Sequence, residues 1–232
     1  MRKWLRVVVW VVAGLVLVAA VGAFFFFRAL HHVPEFYQEV LKGDPVKQKA
    51  ASHEMHLRTV ELASHVQVAG RWQQTFTAEQ VNGWLAVGQH ERPEKDELAE
   101  ARDLIPAAAI DPRVVIEPDG ITIACRFDTG SAGRTVLSLK VDAYLTEENE
   151  IALRIRKARA GAIPAPLDVV FKHLSEALAQ VKCPARVSQV DSDPVVLISL
   201  PPAGKRGELN VRLDTLRLSD GKIEVAGTTK RQ

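Results

Sequence analysis

The sequence predicts an α+β protein: an N-terminal transmembrane helix, a helical segment, and then a curved antiparallel β-sheet packed on one amphipathic helix. Three observations predict it. Val7 to Phe27 is a run of twenty-one residues without a charge, flanked by Arg2, Lys3 and Arg6 before it and Arg28 after it. From Asp111 the hydrophobic period changes from helical spacing to strict alternation. Leu167, Val170, Phe171, Leu174, Leu178 and Val181 then recur at i, i+3, i+4, i+7, i+11 and i+14, the clearest amphipathic pattern in the chain.

The apolar run sets the domain organisation. At roughly 1.5 Å per helical residue it reaches about 30 Å, the thickness of a bilayer's hydrocarbon core. Basic residues precede it and no acid occurs before Glu35, so the positive-inside rule keeps the N-terminus in the cytoplasm and places the rest outside. A cleaved signal peptide is the competing reading, since Val21-Gly22-Ala23 resembles a cleavage site. A signal peptide's apolar core normally covers about 7 to 15 residues, and this one continues through Phe27, which favours an uncleaved anchor. The expected divisions are residues 1–28 as cytoplasmic start and signal anchor, 29–43 as a membrane-proximal stalk, and 44–232 as an extracytoplasmic domain. The chain has 30 Lys and Arg against 28 Asp and Glu; setting aside Arg2, Lys3, Arg6 and Arg28 leaves 26 against 28. The outer part thus has no overall positive excess for nucleic acid, and the membrane is the first expected partner.

Asp44-Pro45 pairs an N-cap with proline at the first helical position and predicts a helix to about Val68. Gly70 opens a short extended piece, and Thr77-Ala-Glu-Gln80 has the spacing of a capping box ahead of a helix that docks by Trp84, with Asn82 bonding nearby backbone. Glu94 to Leu104 reads as a charged surface helix. Pro118-Asp119-Gly120 joins two strands, in the second of which Ile121, Ile123, Cys125 and Phe127 form the apolar face and Thr122, Arg126 and Asp128 the wet one. Strands carrying Leu137 to Leu145 and Ile151 to Ile155 continue the meander. Gly161, Pro164 and Pro166 end it and launch the helix from Leu167, which is expected to cross the sheet's apolar face. Val195 to Leu200 reads as a well-covered strand. Leu209, Val211 and Leu213 occupy odd positions but Leu216 and Leu218 even ones, so a bulge is expected near Asp214-Thr215. Ser219-Asp220-Gly221 turns into the final strand.

No set of residues converges on a reaction, and no catalytic residue, metal site or cofactor is expected. His53-Glu54-Met55-His56 is one residue short of the H-E-x-x-H spacing that directs both imidazoles to one zinc ion. There is no G-x-S-x-G, Walker loop or G-x-G-x-x-G. Arg154, Arg156, Lys157 and Arg159 form a local basic patch, with Arg154 and Arg156 on one strand face, either solvated or meeting lipid headgroups. Cys125 and Cys183 either form a disulfide, since a helix predicted to cross the face bearing Cys125 leads to Cys183, or serve as small core residues.

Phe76-Thr-Ala-Glu-Gln-Val-Asn-Gly-Trp-Leu85, Ile110-Asp-Pro-Arg-Val-Val-Ile116 with its Pro-Asp-Gly turn, and Gly161-Ala-Ile-Pro-Ala-Pro166 together resemble the YpmS-like group of single-span envelope proteins. The resemblance covers residues 70 to 185 and leaves Asp44 to Val68 and the final strands unaccounted for. It implies a tethered α+β outer domain and supplies no catalytic residue. Two functions compete. In one, the sheet and helix enclose a groove for a lipid or other amphiphile, lined by Phe127, Leu139, Leu153, Val170, Phe171 and Leu174, with Arg154 and Arg156 near headgroups. In the other, the same residues close into a packed core and the domain is a non-enzymatic interaction scaffold for envelope proteins.

Overall fold

The computed structural model describes residue 22 and residues 24–88, 108–128, 133–146, 149–180, 185–199 and 208–231; at 173, 174 and 177–180 it describes the backbone. Residues 24–30 are helical. The labelled elements begin with α1 (Glu35–Leu41), α2 (Pro45–Val66), β1 (Gly70–Thr77) and α3 (Ala78–Gly88). A run of strands follows: β2 (Ile110–Glu117), β3 (Gly120–Asp128), β4 (Arg134–Leu145), β5 (Glu150–Ala160) and β6 (Ile163–Pro164). Then come α4 (Leu167–Gln180), β7 (Ala185–Val190), β8 (Asp193–Ser199), β9 (Leu209–Ser219) and β10 (Lys222–Arg231).

The strands form two antiparallel sheets, one of seven strands containing the path β2-β3-β4-β5-β8-β7, with β6 beside β5, and one of three in the order β1-β10-β9. This corrects the expected fold class. The domain is mostly antiparallel β, with strand outweighing helix by about half to a third, and the single expected sheet is two. The strands run longer than their alternating cores: β4 begins at Arg134, β5 ends at Ala160 and β10 ends at Arg231. Most of the expected transmembrane helix, Val7 to Phe27, lies outside the described residues, as does the charged helix expected over Glu94 to Leu104. Among the described residues no helix is long and apolar enough to cross a membrane.

Local chemistry sets the element boundaries. Asp44 caps α2, its Oδ1 accepting from the Val46 N–H at 2.9 Å. The capping box ahead of α3 closes reciprocally: the Gln80 N–H donates to Thr77 Oγ1 at 3.2 Å and the Thr77 N–H to Gln80 Oε1 at 2.9 Å. Asn82 pairs with the outer edge of β2, donating to the Val114 carbonyl and accepting from its N–H, both at 2.8 Å. On β9, Leu213 and Thr215 face consecutive residues of β10, Gly227 and Ala226, which leaves Asp214 as the extra residue of a bulge, as the switch in apolar parity predicts.

Two apolar clusters organise the domain. Tyr37, Ala124 and Val136 form one, with Val33, Phe36 and Leu41 packed against it. Trp72, Val211 and Leu213 form the other, joined by Leu62 and Val66 from α2 and by Leu145 and Ile151 from the large sheet. Between the sheets, the Asn149 side chain stands in for a strand: it donates to the Val211 carbonyl at 2.9 Å and accepts from the Leu213 N–H at 2.8 Å. Asn149 holds φ at 62°, a left-handed conformation that asparagine tolerates better than most residues.

Candidate ligand-binding site

The register divides the large sheet into two faces. Cross-strand pairs Ile123 with Leu139, Cys125 with Leu137, and Val114 with Ile123 put the apolar residues of β2, β3 and β4 on one face. Ala143 pairs with Leu153 and Leu153 with Val196, which carries that face onto β5 and β8. The opposite face carries Arg113, Ala124, Arg126, Val136 and Ser138.

The apolar face is covered as expected at Ile116, Val141, Ile155 and Ala158, each at most 5% exposed, but opens around Ile123, where the face read as wet is the better filled one. Ala124 is 0% exposed and Val136 3%, whereas Ile123 on the apolar face is 38% exposed. The cause is the segment expected to be a stalk. Val33, Phe36, Tyr37 and Leu41, which follow the helix at 24–30, pack on the face read as wet, where small Ala124 and Val136 admit the Tyr37 ring. The part of the apolar face around Ile123, with Cys125, Phe127, Leu137 and Leu139 each half-buried, is left as a partly open floor.

Phe127, Leu139 and Leu153 thus share one face and are half-buried. Val170 and Phe171 are half-buried on α4, and the Leu174 side chain lies outside the described residues. The helix does not span the sheet as expected; it packs against β7, β8 and β5, at one end of it. Cys125 is a free thiol on the floor, pushed up to about 11 by burial, and Cys183 lies outside the described residues.

Arg154 and Arg156 come together but are occupied. The β7–β8 turn places Asp191 and Ser192 at φ 50° and 72° and presents Asp191 and Asp193 to them. Arg154 Nε lies 2.7 Å from Asp193 Oδ2 and its Nη2 3.3 Å from Asp191; Arg156 Nη1 lies 3.1 Å from Asp193 and its Nε 2.5 Å from Asp142. The hydrogen bond from Arg154, with that from Arg156, holds the Asp193 carboxyl below the usual carboxylate range.

A second polar cluster, not singled out from the sequence, locks the stalk segment down. The Tyr37 hydroxyl donates to the Asp111 carbonyl at 2.7 Å, and the Arg126 guanidinium sits 5.8 Å from the Tyr37 ring centroid and 3.2 Å from the Asp111 carboxylate. Asp111 holds φ at 50° where the β2–β3 register shifts. Burial raises the Tyr37 phenol to about 12 and lowers the Arg113 guanidinium, which is 6% exposed, donates to the Pro112 carbonyl and, among the described residues, has no hydrogen-bond partner at Nε. The sequence signal was Tyr37 itself, a polar-tipped aromatic among Val33, Phe36 and Leu41.

The helix at 24–30 ends against the apolar floor's own edge. The Leu30 carbonyl accepts from the Thr135 hydroxyl at 2.6 Å and the Ala29 carbonyl from the Ala162 N–H at 2.8 Å, satisfying carbonyls that a helix end leaves free. Thr135 is the cross-strand partner of Phe127. A cavity of 400 Å³ lies elsewhere, between α1, α2, α3 and β2. Among the described residues no group of three or more His, Cys, Asp or Glu is placed to hold a metal ion. No family model, curated protein or solved structure matches the chain, and that outcome does not bear on the resemblance to the YpmS-like group.

Proposed function

We propose that this chain is a membrane-tethered, extracytoplasmic binding domain that carries a lipid or other amphiphile on the apolar floor of β2 to β5, beside α4. The exposure of Ile123 carries this reading: this isoleucine on an apolar sheet face stays 38% exposed among half-buried Cys125, Phe127, Leu137 and Leu139, while Ala124 and Val136 on the other face are covered. Contiguous apolar surface of this kind marks a contact with something apolar. At about 0.8 kcal/mol per buried methylene, ten methylenes of an acyl chain supply about 8 kcal/mol before the costs of association. The apolar run Val7 to Phe27 supports the tether, and the docking of residues 29 and 30 beside Thr135 brings the Phe127 end of the floor close to where the tether leaves the domain. Arg154 and Arg156, the residues expected near headgroups, are paired internally with Asp142, Asp191 and Asp193.

Native mass spectrometry of residues 29–232 tests the reading. The expected result is a bound mass of lipid size that disappears in Ile123→Glu and Leu139→Glu while the melting temperature holds. A ligand-free wild-type domain that also takes up no fluorescent acyl probe overturns it and leaves the interaction scaffold.

A further inference from the structure

The three-stranded sheet has a dry face and a wet one. Trp72, Val211, Leu213 and Val225 lie in its core. Alternation and register place Arg71 of β1, Lys222, Glu224, Thr228 and Lys230 of β10, and Arg212 and Arg217 of β9 on the opposite, outer face. The Asp214 bulge keeps Arg212 and Arg217 together there despite the odd spacing that separates them. Five cations thus share a face with Asp214 and Glu224, in a chain that is slightly acidic once the flanks of the apolar run are set aside.

The cations are grouped. Thr228 is the register partner of both Arg71 and Arg212, so the three residues form one row across the sheet, and Lys230 stands two residues along the central strand. With strands roughly 4.8 Å apart, the two arginine backbones are roughly 10 Å apart. Between them lies a dish of 750 Å³ lined by Arg71, Gln73, Arg212, Asp214 and Thr228. Its floor is fixed from beneath: a Cβ at Gly227 would overlap the Arg212 carbonyl and the Trp72 ring. Asp214 is already engaged, forming an ion pair with Arg212 Nε at 3.2 Å and accepting from the Thr228 hydroxyl at 2.7 Å. Among the described residues Arg71 and Lys230 have no ion-pair partner.

The face also lies far from the docking point of residues 29 and 30. β4 begins at Arg134, next to the Thr135 contact with Leu30, and ends at Leu145, which packs on the Trp72 cluster. Its twelve residues span roughly 36 Å at roughly 3.3 Å each.

We propose that the outer face of the β1-β10-β9 sheet binds a soluble polyanion carrying repeated phosphate groups, through Arg71, Arg212 and Lys230. Guanidinium forks match phosphate oxygens in pairs, and the dish is too wide for one small anion but takes neighbouring phosphates of a chain. This site is separate from the apolar floor and does not depend on it.

The test uses the full chain in a neutral detergent, with inorganic polyphosphate as the probe and anionic phospholipid vesicles as the comparison. Binding to polyphosphate at about 0.1 M salt is expected. The triple variant Arg71→Gln, Arg212→Gln, Lys230→Gln is expected to bind at least tenfold more weakly at unchanged melting temperature. Its slope of log Kd against log salt is expected to fall by about 2, since each neutralised phosphate contributes about 0.7 to 0.9. Vesicle binding is expected to be equal for the two proteins. Wild-type protein that ignores polyphosphate, or a triple variant that binds it as well as wild type, overturns the proposal. So does a variant that loses vesicles and keeps polyphosphate, which makes the face a headgroup contact.

Discussion

Tyr37 ties the segment beyond the apolar run to the sheet, and its titration reports that contact. Burial raises the phenol from 10.0 to about 12, so the folded chain keeps the proton where the unfolded chain gives it up. The stabilisation is fully present below pH 10, is lost as pH rises from 10 to about 12, and amounts to on the order of 2 kcal/mol. Thermal melts are therefore expected to fall more steeply over that interval for wild type than for Tyr37→Phe. At neutral pH the variant should be less stable by about 1 kcal/mol through loss of the bond to the Asp111 carbonyl. Parallel pH profiles for the two proteins contradict the buried-phenol account. This residue was hard to find in the sequence because its partner lies 74 positions away and meets it only through a left-handed backbone at Asp111.

Among the elements, the helix at 24–30 is joined to the turn between β5 and β6 through backbone, and glycine makes that joint possible. Gly161 holds φ at 61°, and a Cβ there would overlap the Ala29 and Leu30 carbonyls. Gly161→Ala is expected to cost about 2 kcal/mol or more in thermal stability and to speed tryptic cleavage after Arg28. An unchanged melt and an unchanged digestion rate mean the helix end is not held. The local devices of this fold are legible in the sequence: the Asp44 cap, the Thr77 to Gln80 box and the Asp214 bulge all follow from a few adjacent side chains, whereas Asn82, expected to bond nearby backbone, reaches Val114 on β2, 32 residues away. What covers each sheet face is not legible. Alternation states that Ile121, Ile123 and Phe127 share a side, but whether that side is filled depends on where residues 29–41 and α4 travel, and their own patterns suit either face. The division into two sheets is hidden for the same reason, since pairing of β1 with β10 leaves no local trace.

For the whole molecule, the proposed tether and binding floor require a domain outside the cytoplasm. Ser219, exposed at the β9–β10 turn, is a suitable reporter. In a Cys125→Ser, Cys183→Ser background, Ser219→Cys is expected to react with an impermeant maleimide in intact cells; reaction only after lysis contradicts the placement. The pairing of β1 with β10 also has a kinetic meaning. Gly70 meets Thr229, so the small sheet closes only when distant parts of the chain find each other, an arrangement that slows folding. Until β10 arrives, β1 has neither its ladder nor the Thr229 hydroxyl that accepts from the Trp72 indole. While the chain is being made, the neighbours of β2 to β5 follow one another in sequence, whereas β1 stays without its partner until the last strand of the chain is complete.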